Sequence, residues 1–304
     1  MLCFLYGPGE PGRYTALEGE MDFETKQKIF SESVDAHQCE LMKYVVTLVD
    51  HKNGMSPASG IMFKILDRII IATAGHVIPN DPSGRIWPVV RSVRHEKNGF
   101  PAYPKFARHP DFDVGYLEVH PEGAERYFGH HEYANLSQIS CRGFGREDRS
   151  VIVVGSPGEH VQVTKHDDNT GTYNAKVMAY WTVPLLPNEW PAVPSADRPA
   201  DTNIDIFLSY PTDDTIAAKG FDPINLPHPG GMSGGGIWDQ EFKEDAIWDP
   251  TAIKLIGIQS CWHRKDRYLR AIQIVHWLRL IYRDFEDLRP ILSTTFGEHV
   301  EIGV

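Results

Sequence analysis

Three short segments that follow one another along the chain constrain its fold more than any other feature of the sequence. An apolar run at 69–74 leads into His76, Asp113 opens an apolar alternation, and Ser233 lies in the run Pro-Gly-Gly-Met-Ser-Gly-Gly-Gly at 229–236. Each segment is ordinary alone, but the order His, Asp, Ser is one of the few in which serine nucleophile systems occur. Their conjunction predicts a fold that brings the three side chains together.

The chemistry of such a system explains why these residue types occur together. A serine hydroxyl is a poor nucleophile at neutral pH, so Ser233 needs a base such as His76 within hydrogen-bond reach. A carboxylate, here Asp113, fixes the tautomer and orientation of that imidazole. Glycines let the backbone turn sharply, so that the amides of Gly231 and Ser233 converge where the oxyanion of a tetrahedral intermediate would lie.

These segments, together with 153–158 and 255–260, resemble those of the trypsin-like serine peptidases of the chymotrypsin fold, in their intracellular or bacterial form. The resemblance covers about residues 40–282. It implies an all-β fold, with two six-stranded antiparallel β-barrels of chymotrypsin type and a C-terminal α-helix.

The resemblance also implies roles for individual residues. His76 would be the general base, Asp113 the acid that orients it, and Ser233 the nucleophile, with Gly231 and Ser233 forming the oxyanion hole. Ser260 would lie beside the Asp113 carboxylate.

Substrate-binding residues follow from the same resemblance, which assigns the pocket to 227–229 and 260–262, with the candidates His228, Ser260, Cys261 and Trp262. Neither segment contains Asp or Glu, so a substrate Lys or Arg would be buried without a counter-charge. Trp262 stands where many relatives have glycine, which predicts a shallow pocket for small apolar side chains, or for acidic ones if His228 faces inward. The Pro-His-Pro setting favours a simple loop histidine.

Several departures from the family pattern concern cysteine and activation. Secreted relatives have cysteines where this chain has Val77 and Pro229, and its four cysteines show no paired spacing. The sequence begins without a basic leader and contains no run of about 20 apolar residues, which favours a cytoplasmic protein without membrane contact. Met232 stands where members activated by cleavage have an Asp. Activation through a salt bridge to a new amino terminus is therefore not expected, and control would come from a partner, a mobile loop or the extensions.

Composition agrees with this interpretation. The 304 residues are 41% hydrophobic, enough for two barrels of about 100 to 120 residues each. The 26 glycines and 22 prolines are typical of a turn-rich β architecture. A net charge of -11 argues against a general nucleic-acid binder, because backbone phosphates require basic patches.

The predicted organisation has four parts. An N-terminal extension at 1–39, with a short helix near 23–36, precedes a first barrel at 40–147 that carries His76 and Asp113. A second barrel at 148–267 carries Ser233 and a proline-rich insertion at 184–204. A C-terminal helix and tail occupy 268–304, with the helix over 268–288 predicted from the spacing of its apolar residues. A hairpin over 61–73 is expected to deliver His76.

Other candidates have simpler interpretations. Asp111 could compete with Asp113, but only Asp113 is followed by the apolar alternation. Two further candidates are the adjacent histidines His130 and His131, and Cys261 with His263. Neither has two more ligands at a recognised spacing, so no metal site is expected. No cofactor is expected either.

Three functions remain open on the sequence. The favoured one is a serine endopeptidase that cleaves protein or peptide substrates through an acyl-enzyme, either as a regulated effector with a regulatory protein partner or as an enzyme of protein quality control. An esterase with the same triad and a catalytically silent interaction module are the alternatives. Retention of His76, Asp113, Ser233 and Gly231 argues against the silent module, because a binding module has no chemical need for all four.

Overall fold

The computed structural model shows a chain built mainly of antiparallel strands. The described residues are 2–5, 23–50, 56–83, 85–90, 92–96, 102–128, 131–141, 150–165, 170–193, 197–211, 215–217, 223–240 and 249–301. In chain order the strands and helices are β1 (Leu2–Leu5), α1 (Phe23–Leu41), β2 (Val45–Asp50), β3 (Ser56–Ile65), β4 (Arg68–Thr73), β5 (Ile86–Val89), β6 (Ser92–Glu96), β7 (Lys105–Arg108), β8 (Gly115–Val119), α2 (Pro121–Phe128), β9 (Val151–Gly155), β10 (Val161–Lys165), β11 (Thr170–Ala175), β12 (Met178–Thr182), β13 (Asp205–Ser209), β14 (Thr215–Ala217), β15 (Pro223–Ile224), β16 (Gly236–Asp239), β17 (Lys254–His263), β18 (Tyr268–Gln273), α3 (Ile274–Asp284), α4 (Arg289–Phe296) and α5 (Glu298–Glu301).

The first half of the chain forms a six-stranded antiparallel sheet in the order β5-β2-β3-β4-β8-β7. Strands β2 and β4 are rich in β-branched residues, and β2, β4 and β8 are buried along most of their length, as expected of strands that face a core. The predicted hairpin is confirmed: β3 and β4 pair through Ile61 and Ala72 and turn at Leu66 and Asp67. This hairpin ends three residues before His76.

The second half forms six antiparallel strands in the order β13-β18-β17-β16-β9-β12. Strands β1, β14 and β15 extend this set to nine, with β1 parallel to β12 and antiparallel to β14. The N-terminal extension therefore contributes a strand to the second sheet, which the sequence did not predict. A small sheet, β10-β11-β6, joins a strand of the first half to two of the second. The predicted fold class, two six-stranded antiparallel units of chymotrypsin type with a C-terminal helix, is confirmed.

The predicted helix over 268–288 is wrong in its first turns. Residues 268–273 form β18, which pairs with β13 and β17, and helix α3 begins at Ile274. The second sheet therefore extends beyond the predicted boundary at 267. Leu269 and Ile272 fit a helical spacing, but the strand is buried from Tyr268 to Ile272, because both of its edges are paired and both faces are covered.

Helix α3 packs where the two halves meet. Its Trp277 is fully buried, and the Trp277 ring lies 4.9 Å from that of Phe63 on β3. The same apolar cluster contains Ile70 and Tyr116 from the first sheet and Trp238 from the second. The C-terminal helix is thus part of the core that joins the two sheets. None of the helices in the described part of the chain is long and apolar enough to cross a membrane.

We expect Trp277→Ala to lower the free energy of unfolding by about 3–5 kcal/mol, because it leaves a cavity between α3 and β3. Equilibrium unfolding in urea measures the change. Val183→Ala, at a side chain that is 51% exposed, is the control and should change the stability by less than about 0.5 kcal/mol. Equal effects of the two substitutions would show that α3 does not contribute to this core.

Candidate active site

His76 lies in a 3-10 turn (Gly75–Val77) that follows β4 directly. Its backbone N–H donates to Asp113 Oδ1 at 2.8 Å, and its ring Nδ1 lies 2.8 Å from Asp113 Oδ2. The bond to a carboxylate assigns the proton to Nδ1 and leaves Nε2 as the free, basic nitrogen. The His76 side chain is 54% exposed, so this nitrogen is accessible from solvent.

Asp113 accepts three hydrogen bonds. Besides the two from His76, the Ser260 hydroxyl donates to Asp113 Oδ2 at 2.8 Å. Burial acts to raise the pKa of the Asp113 carboxyl, but the bonds from His76 and Ser260 and the charge of His76 outweigh it, so that the pKa is lowered. The carboxylate therefore stays ionised at neutral pH.

The rival acid is not part of this group. The Asp111 side chain is exposed, and the backbone N–H groups of Asp111 and Phe112 donate to His109 Nδ1 at 3.2 Å each. These bonds shape the loop that leads to Asp113.

Gly115 follows the Asp113 segment at a position where the structure leaves no room for a side chain. A Cβ atom at Gly115 would lie 2.5 Å from Ile78 Cδ1 and 2.6 Å from the carbonyl oxygen of Ala107. Gly115 also pairs with Thr73 at the end of β4, next to the turn that holds His76. The glycine lets the strand that follows Asp113 approach this turn closely.

The Ser233 loop is held in place by the first sheet. The backbone N–H of Ser59 on β3 donates to the Ser233 carbonyl at 2.7 Å, and Ser59 Oγ donates to the Gly231 carbonyl at 2.8 Å. Gly231 and Gly234 have φ angles of 99° and 89°, which favour glycine. A Cβ at Gly234 would lie 2.0 Å from the Ser59 carbonyl oxygen. The sequence did not identify Ser59, because a serine within an apolar strand carries no pattern of its own.

Ser233 Oγ donates to the Ser260 carbonyl oxygen at 3.1 Å. Ser260 therefore links Ser233 to Asp113, since its hydroxyl bonds the Asp113 carboxylate. Between Ser233 and His76, which both lie in the described part of the chain, the structure records no hydrogen bond. Catalytic hydrogen bonds often tighten only when substrate binds, and rotation about one side-chain bond redirects the Ser233 hydroxyl.

Two backbone donors beside Ser233 remain available. The N–H groups of Met232, Gly234 and Gly235 donate to backbone carbonyls at 2.7–3.0 Å. For the N–H groups of Gly231 and Ser233, the described residues provide no acceptor. These are the amides predicted to form an oxyanion hole. Met232 between them is fully buried among apolar side chains of the second sheet.

The candidate pocket residues divide into two groups. The rings of His228 and Trp262 pack edge to face with centroids 4.7 Å apart. His228 Nδ1 accepts the Gly230 N–H at 3.0 Å, and the His228 N–H donates to Glu159 Oε1 at 3.2 Å. Cys261 does not join this group.

The Cys261 Sγ lies 3.3 Å from His263 Nε2. Burial raises the pKa of the Cys261 thiol to about 11, so it is protonated at neutral pH and is not an activated nucleophile. Ser260 lies with the triad rather than with the His228 and Trp262 rings.

Comparisons with known proteins concern the fold. No family model and no curated protein matches the sequence. Among solved structures, the chain is similar to the serine protease of a human pathogenic astrovirus, with 12% identity, coverage of 77% of this chain and 90% of that one, and a TM-score of 0.40. The serine endoprotease from Yersinia pestis has 14% identity, coverage of 83% and 66%, and a TM-score of 0.47. An inactive mutant of Rv3671c from M. tuberculosis H37Rv has 13% identity, coverage of 83% and 91%, and a TM-score of 0.41.

The first two of these structures are serine proteases, the class that the sequence resemblance led us to expect. With identities of 12–14% and TM-scores below 0.5, these structures carry no argument about the residues of this chain. The roles of individual residues therefore depend on the geometry of this chain.

We expect the pKa of His76 to lie above its ordinary value of 6.5. The hydrogen bond that His76 donates to Asp113 and the charge of Asp113 favour the imidazolium, and together they outweigh burial and the repulsion from Arg108. NMR titration of the ring, assigned by its loss in His76→Gln, measures the midpoint.

Asp113→Asn should move this midpoint downward, because burial and Arg108 then act without an opposing charge. Asp111→Asn, which changes an exposed neighbouring carboxylate, is the matched control and should leave the midpoint unchanged within a few tenths of a unit. A wild-type midpoint below 6.5 would contradict the electrostatics described for this pair.

Proposed function

We propose that the protein is a serine endopeptidase that cleaves protein substrates through a triad of His76, Asp113 and Ser233 and an acyl-enzyme intermediate. The observation that supports this most strongly is the chain of hydrogen bonds from His76 through Asp113 to Ser260, whose carbonyl holds the Ser233 hydroxyl. Ser233 and His76 thus lie around one carboxylate, as the proposed nucleophile and base require. The N–H groups of Gly231 and Ser233, which have no acceptor among the described residues, lie where an acyl-transfer reaction needs donors.

In the proposed reaction Ser233 Oγ attacks the carbonyl carbon of the scissile peptide while His76 Nε2 takes its proton. The negative charge passes to the substrate oxygen, which accepts hydrogen bonds from the N–H groups of Gly231 and Ser233. His76 then donates the proton to the leaving nitrogen as the C–N bond breaks, which leaves an ester on Ser233. His76 Nε2 then takes a proton from a water molecule that attacks this ester, and it returns the proton to Ser233 Oγ as the ester C–O bond breaks and the acid product leaves.

Asp113 remains a carboxylate throughout the proposed cycle. Its lowered pKa keeps it ionised, and its bonds to both the backbone and the ring of His76 fix the imidazole against rotation. The negative charge stabilises the imidazolium that forms in each half of the reaction.

Regulation is proposed to act through the extensions, as in an effector protease controlled by a protein partner. Burial of Met232 in the apolar core leaves no place for an activating ion pair at this position. Strand β1, from the N-terminal extension, pairs with β12 and β14, so a partner that displaced it would act on the sheet that carries the nucleophile. Cys39, Cys141 and Cys261 are free thiols, which agrees with a reducing, cytoplasmic setting.

Ser233→Ala should reduce peptide turnover by about 10⁴-fold or more and leave the fold intact, because it removes only the nucleophilic oxygen. A fluorophosphonate probe should label the wild type and not the variant. Ser293→Ala, which removes a serine hydroxyl on α4, is the matched control and should retain both peptide turnover and labelling by the probe.

Turnover of an ester substrate, measured beside peptide turnover and labelling, separates the alternatives. Labelling with ester turnover but without peptide turnover would support an esterase, and the absence of labelling would support a silent module. Peptidase activity in purified Ser233→Ala would refute the proposed mechanism.

We expect no strong preference for Lys or Arg at the cleaved position. Neither Pro227 nor Trp262 supplies a carboxylate to the pocket. The Pro227 carbonyl accepts a hydrogen bond from the Tyr210 hydroxyl at 2.9 Å. Glu159 is exposed and bonds the His228 backbone rather than a side chain. Small apolar residues should be preferred, and acidic ones where the ring of His228, with its proton on Nε2, donates to them.

A peptide library digested by wild type and by Trp262→Gly tests this specificity. The variant should gain cleavage after large apolar residues, because the indole ring no longer occupies the pocket. His228→Ala should lose any cleavage after Asp or Glu while keeping cleavage after small apolar residues. A wild-type profile dominated by Arg would refute the pocket assignment.

A further inference from the structure

A second cluster of reactive side chains lies on β17, beyond the residues that the triad uses. It consists of Cys261 and His263 on this strand and Asp197 from the insertion at 184–204. Cys261 Sγ is 3.3 Å from His263 Nε2, which is 3.4 Å from Asp197 Oδ2. All three ligand atoms lie within 4.8 Å of one another.

The strand explains the first two positions. Residues two apart on a strand project from the same face, so Cys261 and His263 are neighbours regardless of their partners. The Tyr268 ring stacks on the His263 imidazole with centroids 4.5 Å apart and an interplanar angle of 20°. This packing restricts rotation of the imidazole and keeps its Nε2 directed at Cys261 and Asp197.

Asp197 is brought to these two residues from a distant part of the sequence. Arg270 Nη1 lies 3.9 Å from Asp197 Oδ2, which helps to position the insertion. Arg270 Nε also donates to the fully buried Asp205 carboxylate at 2.8 Å, which Arg198 shares. At 3.9 Å the Arg270 contact is longer than a hydrogen bond, so the oxygens of Asp197 retain lone pairs for a second cation.

The donor set and its spacing fit a particular kind of ion. On binding, Zn²⁺ displaces the proton of the Cys261 thiol, and the resulting set of thiolate, imidazole and carboxylate suits Zn²⁺, whereas Mg²⁺ and Ca²⁺ prefer oxygen alone. Tetrahedral geometry with bonds of about 2.3 Å to sulfur and about 2.0 Å to nitrogen or oxygen puts neighbouring ligand atoms about 3.3 to 3.6 Å apart. The distances from His263 Nε2 to Cys261 Sγ and to Asp197 Oδ2, 3.3 and 3.4 Å, agree with that range.

We propose that Asp197, Cys261 and His263 bind Zn²⁺, with a fourth coordination position open to water or an external ligand. The sequence predicted no metal here, because Cys261 and His263 had no second pair of ligands at a recognised spacing. The structure supplies a third ligand through the insertion. A bound ion would connect the insertion to β17. The two ligands on this strand, Cys261 and His263, flank Trp262, which contacts His228. The binding itself does not depend on the proposed peptidase activity.

Titration of the untagged, chelator-treated full chain with Co²⁺, as a spectroscopic substitute for Zn²⁺, tests the site. We expect saturable one-to-one binding with an intense thiolate-to-cobalt charge-transfer band, and displacement of Co²⁺ by Zn²⁺. Cys261→Ser should abolish the band. Cys141→Ser, which removes a free thiol beside Ile274 and Val275, is the matched control and should leave the band unchanged.

Asp197→Asn tests the site without disturbing the fold, because the side chain is exposed and asparagine has the same shape. It should weaken Co²⁺ binding by about tenfold or more, as loss of a group that holds a metal does. Zn²⁺ should raise the unfolding temperature of the wild type and not that of Asp197→Asn. Absence of saturable binding, or a charge-transfer band that persists in Cys261→Ser, would overturn the proposal.

Discussion

The candidate active site depends on one buried serine that connects the two sheets. Ser59 is fully buried on β3, and its N–H, carbonyl and hydroxyl groups are all used: they bond the Ser233 carbonyl, the Thr73 hydroxyl and the Gly231 carbonyl, while Ser59 Oγ also accepts the Ser156 N–H. His76 is carried by the first sheet and Ser233 by the second, so their separation is only as fixed as the contact between the sheets. Each bond contributes about 1 kcal/mol, and leaving a buried partner unpaired costs about 1–3 kcal/mol.

Close backbone approach explains why the nucleophile loop is rich in glycine. At Gly231 a Cβ would lie 2.6 Å from Gly158 N and 2.7 Å from the Ser156 carbonyl oxygen, and at Gly234 it would lie 2.2 Å from Thr73 Oγ1. Positive φ angles and close backbone approach act at the same two positions. Gly234 therefore lets the loop approach the first sheet, which holds it through its carbonyls, while the N–H groups of Gly231 and Ser233 have no acceptor among the described residues.

The sequence predicted the parts of this arrangement that local patterns encode. His76, Asp113 and Ser233 each follow or open a recognisable strand or turn, and their order indicated that they meet. Contacts made by short polar residues could not be predicted, since Ser59 and Asp197 find their partners only through the tertiary fold. The start of α3 was missed for a different reason. Leu269 and Ile272 fit both a helix and a strand that is buried on both faces, and only pairing with β13 and β17 decides between the two.

Strand β17 connects the triad to the proposed metal site. Its register shifts between Gln259 and Cys261, where an irregularity interrupts the pairing with β18. At this point Ser260 bonds both Asp113 and Ser233, and beyond it Cys261 and His263 meet Asp197. A bulge of this kind changes the direction of the side chains that follow it, so one strand can serve two sites. Trp262 lies between the two proposed ligands and packs on His228, so an ion that fixed Cys261 and His263 would also restrict the wall of the candidate pocket.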